Sequence, residues 1–379
     1  MSINADLFCN ELRKNGIEFV AGVPDSLLLD LCASIATNYQ AETHVITANE
    51  GSAVAMGIGH YLATGNLALV YMQNSGLGNA INPLISLAAK EVYSIPMLLA
   101  IGWRGEIDQQ GSQVKDEPQH QLQGAITLEM LELLGIPVFI VSSESGISKI
   151  LNDAVYQAKK QQQPVALLIR KNSFQPYHKH YRANKATTLT REQGLASVIS
   201  AIEPSMPLIS TTGKLSRELY DLQLEDQEST RREFLTVGGM GHASSIAAGI
   251  ASAYDGKVVC LDGDGAALMH MGALTNTAKY GNLIHILFNN GAHESVGGQP
   301  TIGLTMKLSE IAKKCGYQFI FYAETIEQIQ QSLAKAMNAK ASVFIEIPCS
   351  NISRSNLPRP VESPNHNRSE FMNFLGIKR

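Results

Sequence analysis

The chain has 379 residues, of which 45% are hydrophobic and 17% charged, and its formal net charge is −4. This composition is typical of a globular protein, and the small negative charge excludes a general attraction to nucleic acid or to an anionic membrane surface. The length exceeds that of a usual single core. We therefore expect two domains of ordinary size and a small-molecule partner.

The cysteines and the start of the chain bear on its cellular compartment. The five cysteines are odd in number, widely spaced and form no C-x-x-C pair, which argues against both a disulfide framework and a zinc site. Residues 1–16 contain polar side chains where a signal peptide needs an uninterrupted apolar region, and no uncharged apolar stretch is long enough to span a bilayer. We therefore expect a cytoplasmic protein.

Short apolar or β-branched runs that end in glycine or polar turns alternate with longer segments of helical period. The predicted strands in chain order are 16–24, 67–76, 95–102, 136–143 and 164–171, followed by 207–214, 257–265, 283–290 and 341–348. This alternation is typical of α/β proteins with parallel sheets. The sequence thus predicts two α/β domains, each a mainly parallel sheet flanked by helices.

A polar stretch at 177–193 separates the two series of strands. We place one domain at 1–180, a linker at 181–189 and a second domain at 190–379. The segments 57–76 and 249–265 resemble one another, since each has a small-residue helix, a glycine turn, a strand and a glycine loop. The proline- and asparagine-rich segment 351–376 is predicted to wrap over a surface before one last helical turn.

Acidic and amide side chains follow two predicted strands of the second domain. Asp262 and Asp264 follow the apolar run at 258–261, and Asn290 ends the next strand. An EF-hand is excluded, because Ala266 and Ala273 occupy the fifth and twelfth positions counted from Asp262. Mg²⁺ takes few protein ligands and completes its octahedron with water and phosphate oxygens. The sequence therefore predicts a magnesium ion that holds a diphosphate.

The Gly-Asp-Gly triplet and the Asn-Asn pair resemble the diphosphate-binding signature of thiamine diphosphate enzymes. The spacing from Asp264 to Asn290 is 290 − 264 = 26 positions. The resemblance implies that Asp264, Asn290 and the Ala292 carbonyl bind the metal. It also implies that thiamine diphosphate contacts the loop residues Gly263, Asp264, Gly265, Ala266 and Asn290. A tight turn is the alternative explanation for a lone Gly-Asp-Gly triplet.

A second segment, 237–251, resembles the part of these enzymes in which glycine lets the backbone approach the cofactor. The resemblance implies that Gly239 makes this approach and that Met240 holds thiamine in its bent shape. Taken alone, Met240 also suits an ordinary core position.

The first domain should supply a catalytic glutamate. Glu50 follows the strand-like segment 43–48 and opens a small-residue helix, as the glutamate that hydrogen-bonds the aminopyrimidine ring does in the family that the chain resembles. The alternative is an acid that interacts only with the helix dipole.

Four further segments, 21–28, 111–124, 210–219 and 289–301, are similar to motifs of the phosphonopyruvate decarboxylases. The resemblance covers nearly the whole chain and implies decarboxylation of 3-phosphonopyruvate to phosphonoacetaldehyde in phosphonate biosynthesis of the 2-aminoethylphosphonate type. It also implies a homodimer or larger homo-oligomer with active sites between subunits. A sulfopyruvate decarboxylase, an acetolactate-type carboligase and a non-catalytic cofactor-binding protein are the alternatives.

The same motifs contain candidate residues for proton transfer. Asp25 matches an aspartate implicated in proton transfer in the wider decarboxylase group, and an N-cap of the following helix is its alternative role. His120 is a second candidate, with a solvated loop histidine as the alternative. His293, directly after the predicted metal loop, is placed to reach the cofactor.

The phosphonate group requires positive charge, and four cations lie in or beside the motifs. These candidates are Arg104, Lys115, Lys214 and Arg217. Only some of the four can be ligands. Lys214 and Arg217 are three residues apart and would share one side of a helix, where a solvated face is the alternative. With Asp25 and His120, they complete the predicted substrate site.

Overall fold

The structure is a computed structural model that describes residues 2–108, 110–177, 179, 181, 187–225 and 232–377. The chain forms two compact units, Met1–His180 and Tyr181–Arg379. Residues 182–186 of the predicted linker lie outside the described residues. Each unit has a six-stranded parallel sheet flanked by helices, so the predicted fold class is confirmed. No helix within these ranges is both long and apolar enough to cross a membrane.

The first unit is built on a sheet with the strand order β2-β1-β3-β4-β6-β5. Its strands are β1 (Phe19–Gly22), β2 (His44–Ile46), β3 (Ala68–Gln73), β4 (Leu98–Gly102), β5 (Val138–Val141) and β6 (Val165–Ile169). Its helices are α1 (Ala5–Lys14), α2 (Leu29–Asn38), α3 (Glu50–Thr64), α4 (Leu77–Pro83), α5 (Pro118–Leu133) and α6 (Ile147–Gln161).

The second unit has the strand order β13-β14-β10-β9-β7-β8 and a separate two-stranded ribbon. Its strands are β7 (Leu208–Ser210), β8 (Glu233–Leu235), β9 (Val258–Gly263), β10 (Leu283–Asn289), β11 (Ala292–His293), β12 (Gln299–Pro300), β13 (Phe319–Tyr322) and β14 (Val343–Pro348). Its helices are α7 (Arg191–Ala201), α8 (Lys214–Glu225), α9 (Ala243–Ala251), α10 (Asp264–Met269), α11 (Leu274–Thr277), α12 (Leu308–Lys314), α13 (Ile326–Asn338) and α14 (Pro364–Phe374).

The central strands are apolar along their length because helices cover both faces of each sheet. All residues of β4, β6, β10 and β14 are buried. In the first unit, one apolar cluster centres on Phe8, Leu12 and Leu167, and a second contains Val70, Leu99 and Leu168. Neighbouring residues Leu167 and Leu168 belong to different clusters, as expected when successive strand residues point to opposite faces.

Parallel pairing places the carboxyl ends of neighbouring strands along one edge of each sheet. In the first unit, Asp25 follows β1, Glu50 follows β2 and Arg104 follows β4. In the second, Asp264 follows β9 and Asn290 follows β10. Ligands of open α/β sheets bind at this edge, so the fold gathers the predicted site residues where a ligand is expected.

The C-terminal segment packs on the second unit, as predicted. Arg354 pairs with Glu192 and Asp221, and the Val361 N–H donates to the Tyr220 hydroxyl. The expected single helical turn was too short, because α14 has 11 residues. Pro364 at its start and the Ser363 hydroxyl, which accepts the His366 N–H, account for where this helix begins.

Candidate active site

Glu50 is the first residue of α3 and is held in a buried position. Asn49 caps the helix by accepting the Ser52 N–H at 2.9 Å. Glu50 is 5% exposed, and its Oε2 accepts a hydrogen bond from Asn79 Nδ2 at 2.8 Å. Burial raises the pKa of the Glu50 carboxyl, although the Asn79 hydrogen bond opposes the shift. The carboxyl is therefore fixed in place and has an increased affinity for a proton.

Glycine is required beside this carboxyl. A Cβ on Gly76 would lie 2.5 Å from Glu50 Oε1, well inside van der Waals contact. The loop after β3 thus leaves room for the Glu50 side chain only because residue 76 lacks one.

Asp25 lies in a buried turn between β1 and α2. Its Oδ2 accepts the Leu28 N–H at 3.3 Å, whereas its Oδ1 is buried without a hydrogen-bond partner among the described residues. Burial raises the pKa of Asp25 to about 6, against the opposing effects of local N–H groups and of Arg104. The N-cap position of α2 itself is Leu28, and the Asp25 carboxylate accepts the N–H of that residue, as a capping side chain does.

Arg104 is electrostatically coupled to both proton-transfer candidates of the first unit. It pairs with Asp116 through Nε at 2.8 Å and Nη2 at 2.5 Å, and its Nη1 donates to Ser26 Oγ at 3.0 Å. Its charge favours the ionised form of Asp25 and disfavours protonation of His120. The structure thus groups Arg104 with Asp25 and His120, whereas Lys115 is exposed.

His120 lies in the first turn of α5 and is 7% exposed, so its interpretation as a solvated loop residue is wrong. Burial, together with Arg104, lowers the pKa of His120 to about 4. Its Nδ1 is buried and has no hydrogen-bond partner in the described part of the chain. The neutral imidazole therefore has an unused nitrogen that a ligand can engage.

Asp264 begins α10 at the carboxyl end of β9 and is 2% exposed. The Thr301 hydroxyl donates to its Oδ2. Burial raises the pKa of Asp264 to about 6, although the Thr301 hydrogen bond and nearby N–H groups lower it. A buried carboxylate with no cationic partner among these contacts is destabilising, and a bound cation would offset that penalty.

Asn290 and Ala292 present oxygen atoms beside this carboxylate-bearing loop. Asn290 Oδ1 accepts the Ala292 N–H at 3.1 Å. Ala292 and Pro300 lie opposite each other on β11 and β12. The Thr301 N–H donates to the Gly291 carbonyl, so the hydrogen bond falls on the adjacent pair, and Ala292 and Pro300 form a non-hydrogen-bonded pair. The backbone groups of Ala292 therefore point away from β12, and its carbonyl is free of that strand. These two oxygens, with the Asp264 carboxylate, form a donor set that suits Mg²⁺.

Met240 and His293 both lie close to Gly265 in this loop. A Cβ on Gly265 would lie 3.1 Å from the His293 ring and 3.8 Å from Met240 Cε. Met240 is partly exposed, so the structure does not support a core role for it. Gly239 adopts φ +62°, which favours glycine. Burial lowers the pKa of His293 to about 4.

Lys214 and Arg217 lie on α8 and both contact the C-terminal segment. Lys214 Nζ donates to Glu294 Oε1 at 3.0 Å and to Ser353 Oγ at 2.8 Å. Arg217 donates to the carbonyls of Leu357 and Pro358. The prediction of a shared side is confirmed, and the interpretation of a solvated face is wrong. The charge of Lys214 is partly neutralised by Glu294.

Sequence reasoning missed Gln299. This residue is 1% exposed on β12, opposite His293, and neither polar atom of its amide has a partner among the described residues. An unsatisfied buried amide costs about 1–3 kcal/mol, so a ligand that bonds it would remove this penalty. Its place in the segment 289–301 was the available signal, but an amide's lack of partners is visible only in three dimensions.

The donor set fits a diphosphate held through a divalent cation. Asp264, Asn290 and Ala292 offer oxygens, and the loop from Gly263 to Ala266 opens a helix whose N-terminus favours anions. In the first unit, Glu50 has a buried carboxyl of raised pKa, a group that can hydrogen-bond a nitrogen heterocycle.

Replacing Asp25 with asparagine should stabilise the protein at neutral pH. With a folded pKa of about 6 and an ordinary value of 3.8, the folded state binds the proton more tightly, so stability falls as pH rises between these values. Asp25→Asn lacks this penalty, and its unfolding free energy should exceed that of the wild type by about 3 kcal/mol above pH 6.

Urea unfolding of both proteins at pH 4 and pH 7.5 measures the effect. The advantage of Asp25→Asn should be small at pH 4 and fully developed at pH 7.5, and an advantage independent of pH would contradict the buried-charge explanation. Asp30→Asn, a change at a residue of the neighbouring α2, is the matched control.

Comparison with known proteins agrees with this geometry. Residues 4–133 match the thiamine pyrophosphate enzyme N-terminal TPP binding domain, and residues 213–347 match the C-terminal TPP binding domain. The chain is 31% identical over 377 residues to phosphonopyruvate decarboxylase of Streptomyces hygroscopicus, covering 95% of this chain and 90% of that protein. The phosphonopyruvate decarboxylase of Streptomyces viridochromogenes is 30% identical over 378 residues, with 95% and 92% covered.

Sulfopyruvate decarboxylase of Methanosarcina acetivorans is also similar, at 26% identity over 395 residues, with 97% of this chain and 96% of that protein covered. The two domain matches and the two relatives of at least 30% identity confirm the resemblance inferred from the sequence. The chain belongs to the thiamine pyrophosphate enzymes, in the family of the phosphonopyruvate decarboxylases.

Proposed function

We propose that this protein is a decarboxylase that converts 3-phosphonopyruvate to phosphonoacetaldehyde and carbon dioxide, with thiamine diphosphate and Mg²⁺, in phosphonate biosynthesis of the 2-aminoethylphosphonate type. The similarity over 95% of the chain to two phosphonopyruvate decarboxylases carries the substrate assignment. The buried oxygens of Asp264 and Asn290 support the metal and the diphosphate.

The proposed roles divide between the two units. In the second unit, Asp264, Asn290 and the Ala292 carbonyl would bind Mg²⁺, while Gly239, Met240 and the Gly263–Ala266 loop would contact the cofactor. When bound, thiamine diphosphate accepts the electron pair released as carbon dioxide leaves. Gln299 and His293 would complete the polar surface beside Gly265.

The first unit would supply the proton-transfer groups. Glu50 would hydrogen-bond the aminopyrimidine ring, since its buried carboxyl has a raised pKa and so holds a proton more readily. Asp25 and His120 each have a buried polar atom without a partner among the described residues, and both would face the substrate. Asp25, with a pKa of about 6, is the better proton donor near neutral pH.

Four cations remain candidates for the phosphonate oxygens, and their contacts distinguish them. Arg104 lies in the electrostatic group with Asp25 and His120, which favours it as the substrate ligand of the first unit, although its guanidinium is also paired with Asp116. Lys115 is exposed, and no ion pair of Lys115 or Arg217 is found within the described ranges. Lys214 shares its charge with Glu294.

We further propose a cytoplasmic homodimer or larger homo-oligomer. The two halves of the proposed site, around Glu50 and around Asp264, lie in different compact units. Joining the first unit of one subunit to the second unit of another would complete each site.

Sulfopyruvate is the second candidate substrate, because a sulfopyruvate decarboxylase is 26% identical over nearly the whole chain. A sulfonate carries one negative charge, whereas a phosphonate carries nearly two near neutral pH. Arg104 acts electrostatically on Asp25 and His120, and a cation there would favour the more highly charged group.

Steady-state assays with phosphonopyruvate, sulfopyruvate and pyruvate test the proposal. We expect the highest kcat/KM with phosphonopyruvate, loss of activity after chelation and dialysis, and recovery only when Mg²⁺ and thiamine diphosphate are both restored. Higher kcat/KM with sulfopyruvate would reassign the substrate, and activity that survives exhaustive chelation would contradict the metal.

A further inference from the structure

Glu294 is a largely buried acid outside the predicted metal and catalytic sets. It follows β11, and its side chain is 10% exposed. Its Oε2 accepts hydrogen bonds from Arg191 Nη1 at 2.7 Å and from Asn290 Nδ2 at 3.1 Å. Its Oε1 accepts from Lys214 Nζ at 3.0 Å. One carboxylate thus joins two cations to the amide of a proposed metal ligand.

Arg191 is itself fixed by a second acid. Its Nε and Nη2 donate to the two carboxylate oxygens of Glu218 at 2.6 and 2.7 Å, in a bidentate pair. Glu218 is 1% exposed, so this pair is shielded from water. The resulting rigid guanidinium holds the Glu294 carboxylate at a defined position.

The Glu294 carboxylate determines which end of the Asn290 amide faces it. An ionised carboxylate only accepts hydrogen bonds, so the NH₂ end of Asn290 must point toward Glu294. The amide oxygen then points the other way, where it accepts the Ala292 N–H. A carbonyl oxygen has two lone pairs, and the second stays available to a cation.

We propose that Glu294 is a positioning residue that orients the Asn290 amide so that its oxygen, and not its nitrogen, is presented to Mg²⁺. Arg191 and Lys214 keep the Glu294 carboxylate in place. This inference rests on the proposed function, since it takes Asn290 as a metal ligand. It also gives Lys214 a role in the metal site that is separate from phosphonate binding.

Glu294→Gln removes the orienting acceptor while keeping the size of the side chain. Arg191, Lys214 and Asn290 would then compete for one oxygen, and the Asn290 amide would lose its fixed orientation. Groups that orient metal ligands typically change metal affinity by about 10–100-fold. We therefore expect the Kd for Mg²⁺, measured by titration calorimetry in the presence of thiamine diphosphate, to rise by about 10–100-fold.

Glu218→Gln is the matched control. It removes one negative charge from the same arginine and keeps the side-chain size, but Glu218 does not contact Asn290. Both variants should lower Tm, but Glu218→Gln keeps the Glu294 carboxylate with its contacts to Lys214 and Asn290, so it should raise the Kd for Mg²⁺ clearly less than Glu294→Gln does. Equal weakening by the two variants, or unchanged binding in Glu294→Gln, would overturn the proposal.

A rescue variant tests orientation directly. An aspartate at position 290 has oxygen at both ends, so its orientation does not matter to a cation. The double variant Asn290→Asp, Glu294→Gln should bind Mg²⁺ more tightly than Glu294→Gln alone, and binding no tighter would contradict the orienting role. If the wild type itself shows no cofactor-dependent Mg²⁺ binding, the proposed function fails rather than this inference.

Discussion

Glu50→Gln is expected to bind thiamine diphosphate but to lose turnover. The proposed diphosphate-binding residues lie in the second unit and are unchanged, so cofactor affinity should be close to that of the wild type. Removal of a positioned proton-transfer group costs about 10²–10⁴-fold in rate. Exchange of the thiazolium C2 proton, followed by NMR in deuterated buffer, should slow by a similar factor.

Two further variants test whether the loss is specific to the Glu50 carboxyl group. Glu91→Gln alters an exposed acid of the same unit and should leave exchange and turnover unchanged. Asn79→Ala removes the amide that bonds Glu50 and should give a smaller loss than Glu50→Gln. If the thiazolium C2 proton exchanged at the wild-type rate in Glu50→Gln, the proposed role of Glu50 would be wrong.

Asp264→Asn should lose cofactor binding without losing its fold. The substitution keeps the side-chain shape, and it removes a buried charge that burial penalises. An amide is a far weaker Mg²⁺ ligand than a carboxylate. Residues that only orient metal ligands change metal affinity by about 10–100-fold, and the loss of a ligand itself should cost at least as much. We therefore expect the affinity for thiamine diphosphate in the presence of Mg²⁺ to fall by roughly 100-fold or more.

Calorimetric titration of thiamine diphosphate, with and without Mg²⁺, measures the loss. Asp255→Asn, a change to an exposed acid of the same unit, is the control and should bind as the wild type does. The Tm of Asp264→Asn without cofactor should equal or exceed that of the wild type. Unchanged cofactor affinity in Asp264→Asn would show that the metal lies elsewhere.

The sheets could be predicted from sequence because their strands are buried on both faces. The predicted strand 283–290 contains β10 (Leu283–Asn289), every residue of which is buried, so its run of apolar side chains was a clear local signal. The ends of these strands then indicated Asp264 and Asn290. The candidate metal ligands could be identified early because they follow such strands directly.

Other features depend on contacts that sequence patterns do not encode. Pro118, at the first position of α5, is a recognised signal for the start of a helix. This start was nevertheless not predicted, and a loop environment was therefore considered for His120. Arg191 reaches Glu218 and Glu294 across separations of 27 and 103 residues. No periodicity within one segment reveals a cluster assembled over such distances.

The placement of the candidate residues after strand ends has a consequence for evolvability. Substitutions in these loops do not alter the packing of the two sheets, whereas truncation of a buried leucine such as Leu168 or Leu261 would cost about 2–5 kcal/mol. Loop changes can therefore accumulate while the apolar cores of the two sheets are kept. If the proposed site is correct, we expect a change between phosphonate and sulfonate substrates to arise in the segments after β1, β4 and β7, with the proposed metal-binding segments after β9 and β10 retained.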